Sequence, residues 1–82
     1  MPQVKVYALT TCPYCRMTRK YLDENGVAYD VVEVDTLEGQ ERTGTIAEVK
    51  RLSGGTSFPV VVVGEEVVVG FNKPRIAKLA GI

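Results

Sequence analysis

No histidine and no tryptophan occur in these 82 residues, and cysteine occurs only twice. A structural zinc site takes about four ligands, so zinc would require two chains sharing one site. The missing tryptophan says nothing about function. Net charge is missing too: ten basic and ten acidic residues cancel, leaving no global field to draw nucleic acid. No apolar run approaches the length of a membrane span. The start, Met1-Pro2-Gln3-Val4-Lys5-Val6, has no apolar stretch of signal-peptide length. Linkers, low-complexity tracts and internal repeats are absent as well. The expectation is one domain over residues 1–82, cytoplasmic, near the small end for an unstapled chain. Its 45% apolar share is enough for one core.

What the chain has is both cysteines in one C-x-x-C, Cys12-Pro13-Tyr14-Cys15, directly after an apolar run that reads as a strand. Thiols concentrated at one strand-to-helix junction point to thiol–disulfide exchange. The two are not equivalent. Pro13 has no N–H to lose and its φ is pre-set for a first helical turn, so it marks N1 and puts Cys12 at the N-cap. There, free backbone N–H groups and the helix dipole favour a thiolate. Comparable placements lower a cysteine pKa from about 8.5 to roughly 3.5–7.5. Cys15, one turn on, faces the same side, within reach of a mixed disulfide at Cys12. Cys12 is the expected nucleophile and Cys15 the resolving thiol. Arg16 and Arg19 either add positive potential or point into water. A structural disulfide closing so short a loop would contribute roughly 2 kcal/mol, and only in an oxidising compartment. In a reducing one a lone C-x-x-C is more often catalytic.

Residues 3–9 set Val4, Val6 and Ala8 against Lys5 and Tyr7, the alternation of a strand. Over residues 13–24, Met17, Tyr21 and Leu22 form a helical stripe opposite Arg16, Arg19, Lys20 and Asp23. Asn25-Gly26 ends that helix, with Gly26 suited to a left-handed position. Residues 27–34 are β-rich, with Val32 and Val34 on one face. Over residues 38–53, Ile46, Val49 and Leu52 keep helical spacing. Gly39 and Gly44 each cost about 1 kcal/mol against alanine, so a secure helix is expected only from Thr43. Gly54-Gly55 closes it.

Residues 59–63 and 67–69 flank Gly64-Glu65-Glu66 as a hairpin, and unbroken valine predicts strands covered on both faces. Asn72 can cap a last helix carrying Ile76, Leu79 and Ala80, with Pro74 in its first turn. The order β-α-β-α-β-β-α predicts an α/β fold, a four-stranded mixed sheet flanked by three helices. Cys12 then lies at the carboxyl edge of the sheet, where such folds place their chemistry.

With this order and motif the chain resembles the glutaredoxin branch of the thioredoxin fold over essentially its whole length. Cys12-Pro13-Tyr14-Cys15 matches the dithiol glutaredoxin active site letter for letter. Ser57-Phe58-Pro59 resembles the family's Thr-Val-Pro loop, and Gly70 matches the first glycine of its Gly-Gly motif. The resemblance implies a monomeric dithiol–disulfide oxidoreductase with no bound cofactor, reducing protein disulfides or glutathione mixed disulfides. It implies a cis bond before Pro59 and a Phe58 backbone that pairs with an incoming thiol-bearing peptide. The implied binding surface is Tyr14, Ser57, Phe58, Pro59, Gly70 and Phe71. Electrons would come from glutathione or from a thioredoxin-reductase-type flavoenzyme.

Three positions depart from the glutathione-binding pattern. Leu9 stands where many members carry a lysine facing a glutathione carboxylate. Phe71 replaces the second glycine, and Asn72-Lys73 replaces a polar, often acidic pair. A Gly-Phe pair is similar to the small redoxins that reduce ribonucleotide reductase and are recharged by thioredoxin reductase, although those differ between their cysteines. Core packing of the last helix is the bland alternative for Phe71. A second function class stays open, an iron–sulfur carrier in which Cys12 ligates a cluster shared between two chains and completed by external thiols.

Overall fold

The computed structural model describes residues 3–55 and 57–82. Its elements follow the expected order: β1 (Val4–Ala8), α1 (Pro13–Glu24), β2 (Asp30–Glu33), α2 (Gly39–Ser53), β3 (Val60–Val63), β4 (Glu66–Val69) and α3 (Lys73–Ala80). A 3-10 turn, Val34–Thr36, follows β2. The strands lie in the order β2-β1-β3-β4. β1 and β2 run parallel, while β3 is antiparallel to both β1 and β4.

Period-two alternation divides the valines between the two faces of this sheet. Val4, Val6, Ala8, Val61, Val63 and Val68 share a core with Cys15 and Leu22 of α1 and Ile76 of α3. Tyr7 and Val60 pack with Val34 and with Val49 of α2 on the other face. Val32 joins Val34 there, as the sequence pattern predicts. Cover on both faces holds for the central strand β3. It fails on the edge strand β4, where Val69 is 45% exposed.

The helix α1 starts and stops where its punctuation says, but its buried stripe differs from the expected one. Cys15, Thr18 and Leu22 are buried, and Met17 lies off that stripe, facing out. A threonine can take the inner position because its hydroxyl donates to the Tyr14 carbonyl at 2.8 Å. Gly26 has φ +68, and the turn around it carries Val27 N–H back to the Leu22 carbonyl at 3.0 Å. With that N–H engaged in closing the helix, the chain cannot enter the sheet at Val27. β2 therefore begins at Asp30, later than expected.

α2 in contrast starts earlier, at Gly39, and runs through Gly44. Val49 is fully buried, with Ile46 and Leu52 packed beside it on the sheet. Their burial offsets the glycine cost, since tertiary contacts rather than propensity stabilise most helices. In the hairpin, Glu66 pairs with Val63, so the turn shortens to Gly64-Glu65. Asn72 caps α3 as expected, its side chain accepting the Arg75 N–H at 3.3 Å. Among the described residues no helix is long and apolar enough to cross a membrane.

Candidate active site

The β1–α1 connection delivers the cysteine pair. Cys12 N–H donates to the Leu9 carbonyl at 3.2 Å, turning the chain sharply, and Arg16 N–H returns to the Cys12 carbonyl at 3.2 Å as the first bond of α1. Cys12 is thus the N-cap and Pro13 opens the helix. Both cysteines are free; Cys12 is half-buried, while Cys15 retains 1% exposure.

The local fields separate the two thiols. Burial works against a Cys12 thiolate, but the Cys15 thiol and the backbone N–H groups of Cys15 and Tyr14 face it, and Arg16 adds positive charge. The outcome is a Cys12 pKa below the ordinary thiol value. Burial pushes the Cys15 thiol up to about 11, and the adjacent Cys12 and the Asp35 carboxylate reinforce this against an N–H from Leu9. Of the two arginines near the motif, Arg16 acts on Cys12, whereas Arg19 pairs with Glu33 at 3.9 Å.

A second segment reaches the same core. The Phe58–Pro59 peptide is cis, and Pro59 is buried. Phe58 packs against both hydrophobic clusters, including the one that holds Cys15 and contacts Cys12. Gly70 N–H donates to the Pro59 carbonyl at 2.8 Å, tying the approach to α3 onto this loop. Phe71 follows, half-buried against the α1/α3 core, and meets the Tyr21 ring edge-on with centroids 6.1 Å apart. Lys73 Nζ lies 5.0 Å above the Tyr21 ring, a cation–π geometry.

Of the sequence-predicted surface, Phe58, Pro59, Gly70 and Phe71 are therefore joined to the cysteine neighbourhood by packing or hydrogen bonds. Tyr14 is 61% exposed and Ser57 is exposed, both open to solvent. Leu9 packs on the α2 face of the sheet, so no cation stands at that position.

Sequence reasoning missed two features. One is Tyr21 as the platform under Lys73. The other is Asp35, which accepts the Thr10 backbone N–H at 3.1 Å on each carboxylate oxygen. The register contained the second signal: β1 and β2 are parallel with Ala8 opposite Glu33, so two residues further on Thr10 comes beside Asp35. Among the described residues no group of three or more His, Cys, Asp or Glu side chains is placed to hold a metal ion.

A four-stranded mixed sheet with a cysteine pair at a helix start and a cis-proline loop beside it defines a thiol–disulfide oxidoreductase of the thioredoxin fold. The family model described as Glutaredoxin matches residues 4–68, and the chain belongs to the glutaredoxin family. It is similar to a glutaredoxin-like 8.6 kDa protein of the rubredoxin operon in Clostridium pasteurianum, 34% identical over 77 residues. That match spans 93% of this chain and 95% of that protein. Among solved structures, the glutaredoxin grx-1 of Archaeoglobus fulgidus superposes with a TM-score of 0.90 at 42% identity, covering 96% of this chain and 86% of that one. NrdH-redoxin of Escherichia coli, a glutaredoxin-like protein described for its thioredoxin-like activity profile, superposes at 0.74 with 26% identity over 94% of this chain and 93% of its own.

Proposed function

We propose that this oxidoreductase reduces protein disulfides through Cys12 as nucleophile and Cys15 as resolving thiol, and that a thioredoxin-reductase-type flavoenzyme recharges it in preference to glutathione. The contrast between the two thiols carries the first half. A lowered pKa on the more exposed Cys12 makes it the attacking thiolate, while Cys15 is held as a buried thiol. Attack by the Cys12 sulfur breaks the substrate S–S bond and forms a Cys12–substrate disulfide. The first substrate sulfur leaves as a thiolate and takes up a proton. Cys15 then gives up its proton and attacks Cys12, releasing the second substrate thiol and closing Cys12–Cys15. Two electrons pass from the dithiol to the substrate. One chain supplies both sulfurs, so the exchange needs no second copy, and it belongs in a reducing compartment such as the cytoplasm.

The incoming peptide lies along Phe58, whose backbone precedes the cis bond to Pro59, with Tyr14 and Ser57 at the margin. Support for the flavoenzyme comes from the ground between α1 and α3. Phe71 and Tyr21 fill it with aromatic rings, and the Lys73 ammonium is engaged over Tyr21. With Leu9 apolar, one charge-assisted contact to a glutathione carboxylate is lost. At about 1.5–3 kcal/mol, its loss weakens glutathione by roughly ten- to a hundredfold.

Side-by-side turnover with each reductant tests the donor. Saturable kinetics with glutathione at cellular concentrations, and none with thioredoxin reductase, would sink the donor assignment. Roles are tested by substitution: Cys12→Ser should abolish disulfide reduction, and Cys15→Ser should leave a mixed disulfide trapped on Cys12. Faster alkylation of Cys15 than of Cys12 would reverse the assignment.

A further inference from the structure

Thr10 sits inside the turn that delivers Cys12, between Leu9 and the N-cap, where Cys12 N–H bonds the Leu9 carbonyl. It is held from outside that turn. Its N–H donates to both oxygens of Asp35 at 3.1 Å, and its hydroxyl donates to Oδ2. Asp35 stands on firm ground. Val34 before it is buried, Leu37 N–H returns to the Val34 carbonyl at 3.3 Å, and the Thr36 hydroxyl donates to the Glu33 carbonyl at 2.7 Å. Two backbone-anchored turns, 25 residues apart in sequence, are thus joined by one carboxylate.

We propose that Asp35 is a positioning residue for disulfide exchange: its carboxylate clamps Thr10 and so fixes the turn that presents Cys12 to the N–H groups at the start of α1. The proposal rests on Cys12 being the attacking thiol. Charge and position act here in opposite senses. The negative charge of Asp35, balanced from α2 by Arg42, faces Cys15 and disfavours a thiolate on α1. The clamp favours a thiolate, because it keeps Cys12 against the Tyr14 and Cys15 N–H groups beside Arg16. An asparagine at position 35 keeps an acceptor for Thr10 N–H and loses the charge. Alanine loses both.

Alkylation of the reduced full-length protein by iodoacetamide, followed against pH with mass mapping of the modified thiol, separates these terms. The wild-type profile comes first: if Cys12 is not the faster thiol, the nucleophile assignment fails independently of Asp35. Given that, Asp35→Ala should move the Cys12 midpoint upward. A rise of one unit leaves about tenfold less thiolate, each roughly threefold more nucleophilic, so alkylation below the midpoint slows about threefold. Asp35→Asn should leave the midpoint unchanged or lower it. If both variants move it downward, Asp35 acts by charge alone and the proposal is wrong. If both lower the melting temperature and neither moves the profile, Asp35 is a structural support only, which also overturns it. Should Asp35→Ala fail to fold, Thr10→Val, which removes only the hydroxyl donor, must still raise the midpoint; an unchanged profile there counts against the clamp.

Discussion

The two faces of the sheet are made from the same few residue types yet do different work. Under α1 and α3, nine buried residues form one cluster that includes Cys15 and touches Cys12. Under α2, four buried residues suffice, and the helix above them carries two glycines and a largely polar surface. Cys15 therefore lies within the larger cluster, with Cys12 packed at its margin. The sparser face reaches the site only at its edge, through Val34 beneath Asp35 and through Phe58.

Truncations to alanine on the two faces, removing three carbons at Ile76 and two at Val49, test that contrast. Ile76→Ala, on the dense face, should cost about 2–5 kcal/mol in urea unfolding. Val49→Ala, on the sparse face, removes less: about 1.6 kcal/mol of buried methyl groups, partly offset by alanine's higher helix propensity. The Cys15 titration should not move. Equal costs, or a shift in Cys15 from the α2 side, would erase the distinction.

Within α2 the two glycines sharpen it further. Gly39 has φ +59, so Gly39→Ala should destabilise by roughly 1–2 kcal/mol through backbone strain. Gly44 meets nothing within 4 Å of an added Cβ and lies inside the helix. Gly44→Ala should therefore stabilise by about 0.4–1 kcal/mol. Thermal melts of the two variants should move in opposite directions, with reductase turnover unchanged in Gly44→Ala.

The smallest effect is electrostatic. The Thr10 hydroxyl and N–H hold the Asp35 carboxyl below the usual carboxylate range. A depressed folded-state pKa adds stability above the unfolded value, which is lost as pH falls through the folded one. The wild type should therefore lose slightly more stability than Asp35→Asn on acidification below the ordinary carboxylate range. Identical pH-dependent melts would show that the bond contributes nothing measurable.

Local punctuation made most of the fold legible. Pro13 and Gly26 bound α1, Asn72 caps α3 and Gly64 sits in the hairpin turn, each through backbone chemistry that acts within a few residues. The misreadings came from contacts made at a distance. Met17 is as apolar as a core residue, but the inner face of α1 holds Thr18 instead. The start of α2 was obscured because propensity weighs Gly39 and Gly44 while the burial of Val49 is invisible locally. At the site, Cys12 and Cys15 are readable from spacing alone. Asp35 is readable only once the parallel register of β1 and β2 is known, and the Lys73–Tyr21–Phe71 stack only once α1 and α3 are side by side.

Among the described residues, Phe58 is the one partly buried residue that packs into both cores. Packing on two sides limits how far its ring can swing. Binding a flexible peptide against a mobile loop would immobilise both participants, and each frozen side chain or loop residue subtracts from affinity. In the docking proposed above, the peptide rather than the loop loses most of the freedom. A redoxin must also let go of its product quickly, and the docking edge proposed at Phe58 would let it recognise different polypeptides through a small shared contact. That combination, low ordering cost with little contact area, favours brief encounters over stable complexes.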